Sequence, residues 1–346
     1  MHMADALISP AVGGTMWAVT GGLVAACARK MKTSMKDTLV PMMGVLGAFV
    51  FTAQMINFSI PGTGSSGHLG GGLLLAALLG PYAAFLVMAS VLTVQALFFA
   101  DGGLLALGCN IFNLGFFPAF VAYPLIFRPL AGHAPSRARL GCASLAAAVA
   151  ALQLGAFSVV LETQSSGLSD LPFRAFVLLM QPVHLAIGIV EGLATAAVVA
   201  FVARARPDAL FGPHACPAPD APRSLRFVLT ALLLAAALFG GALSWLASPH
   251  PDGLEWSLAR AAGTAEPAAP ASAVHRDLAA LQARTAVLPD YGFKSAGPAA
   301  EETEASAAPW PAVSAGTSVS GLVGGLLTLG VAALIGLALK KRRTAA

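Results

Sequence analysis

The segment LGGGLLLAALLGPYAAFLVMASVLTVQALFF (Leu69–Phe99) decides how this chain is folded. Read as one helix it crosses a membrane once; broken at Gly80-Pro81 it turns back, and every later segment changes side. A hydrocarbon core about 30 Å thick takes roughly 20 apolar residues per helix. Glycine tolerates the angles that end a helix, and proline suits the first position of the next. The break therefore predicts a short span at 69–80 abutting a full one at 81–99. Working outward, similar apolar runs occupy 11–28, 38–57, 109–129, 138–162, 175–203, 225–246 and 319–339. The chain reads as an all-α integral membrane protein, with a block of about seven helices and two further transmembrane helices.

Charge supports this count. Of 346 residues, 57% are hydrophobic and 10% charged, against about 25% charged in a soluble domain. With nine spans and the amino terminus outside, fifteen of the twenty Lys and Arg fall on the inner side, including Arg29, Lys30, Lys32, Lys36, Arg137, Arg139 and Lys340 to Arg343. Basic residues flanking cytoplasmic helix ends set orientation in this way, and the carboxyl terminus is then cytoplasmic. The net charge of +4 is used for topology, so nucleic acid is excluded as a partner. The opening MHMADALISP has no basic residues ahead of its apolar run, unlike a secretory signal, and Met1 and His2 are expected to persist. The four cysteines (Cys27, Cys109, Cys142, Cys216) have no C-x-x-C spacing, and neither a disulfide framework nor a thiolate metal site is indicated.

Two parts are visible. Residues 1–203 form the compact block. Residues 204–224, with their prolines and charges, read as a cytoplasmic linker. Residues 225–346 add two spans around an Ala/Pro-rich outer loop at about 247–317, whose composition suits irregular structure.

Met1 and His2 together offer an α-amine, an amide nitrogen and an imidazole Nδ1, which close two fused chelate rings around a metal and leave one planar position open. Such a nitrogen set suits Ni(II) or Cu(II), and Zn(II) less well. His68 follows the Gly/Ser-rich stretch INFSIPGTGSSGHLGGG on the same outer side, and is the candidate fourth ligand. Its glycines let that loop fold over the terminal peptide. Gln54 and Asn57, and likewise Asn110 and Asn113, are spaced three apart near outer span ends. They are candidates to orient the ligands by hydrogen bonds, or to join packed helices. A terminal histidine also serves as an ordinary solvated residue, and a loop histidine as a cap. His184 and Glu191, two turns apart in the seventh span, are costly there but are given no metal role; His250 and His275 belong to the outer loop.

The runs MHMADALISP, VPMMGVLGAFVFTAQMINFSIPGTGSSGHLGGGLLLAALLGPYAAFLVMASVLTVQALFFADGGLLALGCNIFNLG and VHLAIGIVEGLATA resemble the NikM/CbiM substrate-capture subunits of energy-coupling-factor nickel/cobalt transporters. ASPHPDGLEWSLAR (247–260) and LPDYGF (288–293) resemble the PDGLE-type NikN subunit, so the whole is similar to a fused NikM–NikN chain. The resemblance implies a square-planar metal site from Met1, His2 and His68, with Ni(II) the transported substrate and Co(II) the alternative. It places the chain in a bacterial cytoplasmic (inner) membrane, among lipid. It also implies a NikQ- or CbiQ-like transmembrane coupling subunit and a NikO- or CbiO-like ATPase. No G-x-x-x-x-G-K-[ST] run occurs, so no nucleotide is expected on this chain. No nucleophile–base arrangement suggests an enzyme. A membrane metal sensor or scaffold without transport is the rival from another class.

Overall fold

A computed structural model describes residues 2–133, 135–210, 223–265, 267–268, 270–294 and 310–341. Met1, Cys216, most of the linker, and 295–309 of the outer loop lie outside the described residues. Helices account for nearly all regular structure. Helix α1 (Pro10–Ser34) starts where the Ser9 side chain accepts the Val12 N–H and Pro10 takes the first position, a combination that satisfies an orphan donor and presets φ. It runs several residues beyond the expected end, through the basic cluster. Then come α2 (Leu39–Gln54), a β-hairpin (Phe58–Ile60 with Ser65–Gly67) and α3 (Gly72–Leu79). Next are α4 (Pro81–Phe99), α5 (Leu107–Ala131), α6 (Arg137–Ser166) and α7 (Phe173–Ala205). The later part contributes α8 (Leu225–Gly241), α9 (Gly253–Ala262), α10 (Ala273–Thr285) and α11 (Ala315–Lys341).

Six of these helices (α1, α4, α5, α6, α7 and α11) are long and apolar enough to cross a membrane. The chain is an all-α multi-pass membrane protein. The break at Gly80-Pro81 is present: Gly80 has φ 80° and Pro81 opens α4. The third span is nonetheless shorter than expected, because α3 has eight residues, about 12 Å at 1.5 Å per residue. Residues 68–71 enter the protein as irregular, non-helical backbone before α3 begins, with Gly71 in the left-handed region. The outer loop is also more regular than its composition suggests, since α9 and α10 both form there with side-chain caps, Asp252 and Ser272.

Close packing follows the glycines. On α7, Gly188 and Gly192 face α6, where an added methyl would come 2.9 Å from Val149 Cα and 2.6 Å from Leu145 Cα. Small residues four apart let helix backbones approach in this way. The later helices pack on α2: Gly44 meets Leu329 O of α11, Gly321 of α11 lies on Gly240 of α8, and Gly324 accommodates the Phe51 ring. Lys340 Nζ reaches Asp37 Oδ1 at 3.1 Å, which places the end of α11 beside the basic α1–α2 corner. His2, His68, Asp101 and Asp252 gather at the opposite end, around an open cavity of about 750 Å³.

Candidate metal centre

Residues 2–9 do not run free. A short 3-10 turn at Asp5–Leu7 folds them across α5, and Asn110 holds Met3 at both main-chain atoms: Met3 N donates to Oδ1 at 2.8 Å and Nδ2 donates to Met3 O at 3.2 Å. Gly103 N donates to the same carbonyl and Ala106 N to Asp5 Oδ1. Position 103 must be glycine, because a methyl there would overlap the Asp5 carboxylate at 1.9 Å. Burial raises the Asp5 pKa, against main-chain donors led by Ala106 that favour the carboxylate. His275 closes the arrangement from α10, its Nε2 lying 3.2 Å from Asp5 O and 3.0 Å from Ile8 O.

This anchoring brings His2 onto His68, their rings stacked with centroids 5.0 Å apart and planes 4° from parallel. His2 Nδ1 lies 3.1 Å from Asp101 Oδ1; its Nε2 is buried without a partner among the described residues. Burial opposes charge on Asp101, but the facing His2 and a hydrogen bond from Tyr291 hold its pKa below the usual carboxylate range. Tyr291 itself is pushed well above its ordinary pKa by burial and by that carboxylate. On His68, Nδ1 is 3.1 Å from Leu69 O. A carbonyl only accepts, so Nδ1 carries the hydrogen and Nε2 the lone pair. Burial, with His2 beside it, lowers the His68 pKa to about 3, which keeps the imidazole neutral, the form able to bind a metal.

The backbone that carries His68 is satisfied at depth by two side chains, Glu191 and Gln54, the second of them held by Gln95. Both Gly70 N and Gly71 N donate to the Glu191 carboxylate. Gln54 Nε2 donates to Gly70 O at 2.8 Å, and Gln95 Nε2 to Gln54 Oε1 at 2.8 Å. Irregular backbone buried inside a membrane protein requires such partners, because lipid supplies none.

The later part of the chain roofs the centre. Ser66 N donates to Pro251 O at 2.8 Å, Ser248 N to Asn57 O at 2.7 Å, and Trp256 Nε1 to Thr63 O at 3.0 Å. In the P-D-G-L-E stretch, Asp252 and Glu255 form a reciprocal capping box at the start of α9, leaving both residues on the cavity wall. Gln282 grips Ala96 O and Gly102 O, steadying the turn that bears Asp101.

Of the residues singled out in the sequence, His2 and His68 meet. Asn110 and Gln54 act on the backbone next to them, and Asn57 lines the cavity. Asn113 instead donates to Glu162 of α6 at 2.7 Å. The sequence reading missed Asp101, Tyr291 and Asp252, and singled out Glu191 without assigning it to this backbone. D-G-L-E is a recognisable capping box, and an acid between two predicted spans, as in F-F-A-D-G-G, was a readable signal for Asp101. Among the described residues no group of three or more His, Cys, Asp or Glu is arranged to hold a metal. Two imidazoles alone leave a four-coordinate ion incomplete, so main-chain nitrogens or solvent must supply the rest.

Residues 2–209 match the CbiM family, described as the cobalt uptake substrate-specific transmembrane region, and residues 226–341 match the PDGLE domain. A chain of Archaeoglobus fulgidus, provisionally named a fused nickel transport protein NikMN, is 34% identical over 210 residues, 61% of this chain and 68% of that one. The cobalt transport protein CbiM of Geobacter sulfurreducens is 29% identical over 256 residues, covering 70% and 72%. A crystal structure of a transition metal transporter shares 31% identity at a TM-score of 0.51, covering 58% of this chain and 92% of its own.

Proposed function

This chain belongs to the CbiM family of cobalt-uptake substrate-specific transmembrane regions, and on that premise we propose that it captures Ni(II) at the His2–His68 centre and passes it across the membrane. The Met1 amine, the His2 amide nitrogen and His2 Nδ1 take three corners of a planar nitrogen set, and His68 Nε2 takes the fourth. Closing the chelate exchanges the His2–Asp101 contact for the metal, so Asp101 holds the imidazole in place until the ion arrives. The observation that carries this reading is the stacking of His2 on His68 above a peptide pinned by Asn110. The centre faces outside, with the basic corner near Lys30 and Lys340 in the cytoplasm. Residues 1–203 are the capture domain, 204–224 the linker and 225–346 a NikN-like partner fused to it. Energy comes from a separate ATPase through a transmembrane coupling subunit, in an energy-coupling-factor importer.

The test is titration of Ni(II), Co(II) and Cu(II) into detergent-purified protein whose amino terminus is Met1. Tight Ni(II) binding with a planar absorption band, abolished in His2→Ala, His68→Ala and a variant extended by one residue at the amino terminus, is the expected result. Unchanged affinity in the extended variant would sink the terminal chelate. A preference for Co(II) would favour the second reading, cobalt import, which the family description and the Geobacter relative support.

A further inference from the structure

His184 lies about 17 Å along α7 from its start at Phe173, fully buried within the helix bundle. Its Nδ1 is 2.8 Å from Met180 O. Because that carbonyl can only accept, Nδ1 carries the hydrogen and Nε2 presents a lone pair. That Nε2 is buried and has no partner among the described residues. Leaving such an acceptor unmet costs about 1–3 kcal/mol, so its retention in a membrane helix requires an explanation.

The surroundings supply one. A small cavity of about 10 Å³ is walled by Gly67, His68, Gly70, His184, Asp252 and Gly253, close to the least space that holds one water or ion. Glycine keeps it open: a methyl on Gly253 would come 3.2 Å from His184 Cε1, and one on Gly67 would come 2.4 Å from Ile187 Cγ1. The same His68 that belongs to the outer centre therefore also lines a second, much smaller space beside an imidazole whose lone pair is unclaimed.

We propose that His68 and His184 form a second, weaker position for a divalent transition-metal cation, deeper in the bundle than the His2–His68 centre. Two neutral imidazoles suit borderline metals such as Ni(II), Co(II) and Zn(II). With only two protein nitrogens the position binds loosely and keeps open coordination sites, which suits an ion in passage. His68 is the donor common to both positions. The inference rests on the capture reading for its direction of travel, but its binding chemistry is tested separately.

The experiment adds Co(II) chloride in excess to the full-length chain in detergent and follows the visible d–d bands in His2→Ala, alone and combined with His184→Ala, His184→Gln or His68→Ala; the wild type and His184→Ala alone report the planar site. A weak, non-planar Co(II) species is expected in His2→Ala, where the terminal chelate no longer claims the one lone pair of His68, and is lost when either His184 substitution or His68→Ala is added. The tight planar Ni(II) site should change in His184→Ala by less than the ~10-fold that a residue supporting metal ligands costs. Should His184→Ala not fold, His184→Gln, which keeps a polar side chain of similar reach, decides the point by the same bands. Absence of the weak species in His2→Ala, or its survival when a His184 substitution is added, overturns the proposal and leaves a single trapped water in the cavity. Persistence of the tight planar site in His2→Ala would instead defeat the terminal chelate, while the weak Co(II) bands would still decide whether His184 binds metal.

Discussion

The later part of the chain attaches to the earlier part in two different ways. Along α2, α8 and α11 the join is a seam of glycines and apolar side chains: Gly321 on Gly240, Gly324 on Phe51, Gly44 under Leu329. At the candidate metal centre the join is a set of directed hydrogen bonds onto main-chain carbonyls, from His275, Gln282, Trp256 and Ser248. The seam depends on shape, and lipid gives it no hydrophobic drive. The centre depends on each bond separately, because irregular backbone there has no helix to satisfy it. Perturbing the seam should therefore change whether the two parts stay together, and perturbing the bonds should change affinity for metal.

The largest expected effect breaks the seam. Gly321→Leu places a side chain against Gly240, where even a methyl comes 2.4 Å from the carbonyl oxygen. Overpacking of this kind costs about 1–3 kcal/mol, and more where backbone is the obstacle. Thermal unfolding in detergent should fall markedly, and limited proteolysis should release the later part. An unchanged transition would show that the seam contributes little.

Next is Glu191→Gln. The amide keeps one acceptor but turns an N–H₂ toward the N–H of Gly70 or Gly71, so one buried donor is stranded. Metal affinity should drop by about 10- to 100-fold, as for residues that orient ligands. Helix content should be kept, as read by circular dichroism. Asn110→Ala should follow at about 10-fold, because Met3 also keeps its bond from Gly103. If either variant binds Ni(II) as the wild type does, the backbone is held by something other than these bonds.

These differences bear on what could be read in advance. The nine apolar runs all fall on helices, α1–α8 and α11, because hydropathy is written into each run directly, but only six of those helices are long enough to cross a membrane. The break at Gly80-Pro81 was legible for the same reason, since those two residues act locally. The shortness of α3 was not. It depends on Glu191, 120 positions away in sequence from Gly71, accepting N–H groups that would otherwise require helix. His2 and His68 were legible as chemistry; Asp101 was readable only as an acid between two spans, and its partnership with Tyr291 was not. Their pairing spans 190 residues, and no local periodicity encodes it. His275 reads in isolation as a loop histidine, yet the fold uses it to bind two main-chain carbonyls of the first residues.

The smallest predicted effect concerns the burial of His68. Its pKa in the folded protein, about 3, lies below the ordinary histidine value of 6.5. The unfolded chain therefore binds more protons across that interval, and stability rises with pH there. The contribution is fully present above about 6.5 and is lost progressively as pH falls toward 3. Between pH 7 and pH 6 the loss attributable to His68 is under about 1 kcal/mol, and it should be absent in His68→Gln. Paired thermal scans at the two pH values measure it. If the wild type and His68→Gln lose stability equally, His68 is solvated in the folded protein. It would then bind protons in competition with metal near neutral pH, and the buried half of the stacked pair would have to be His2 alone.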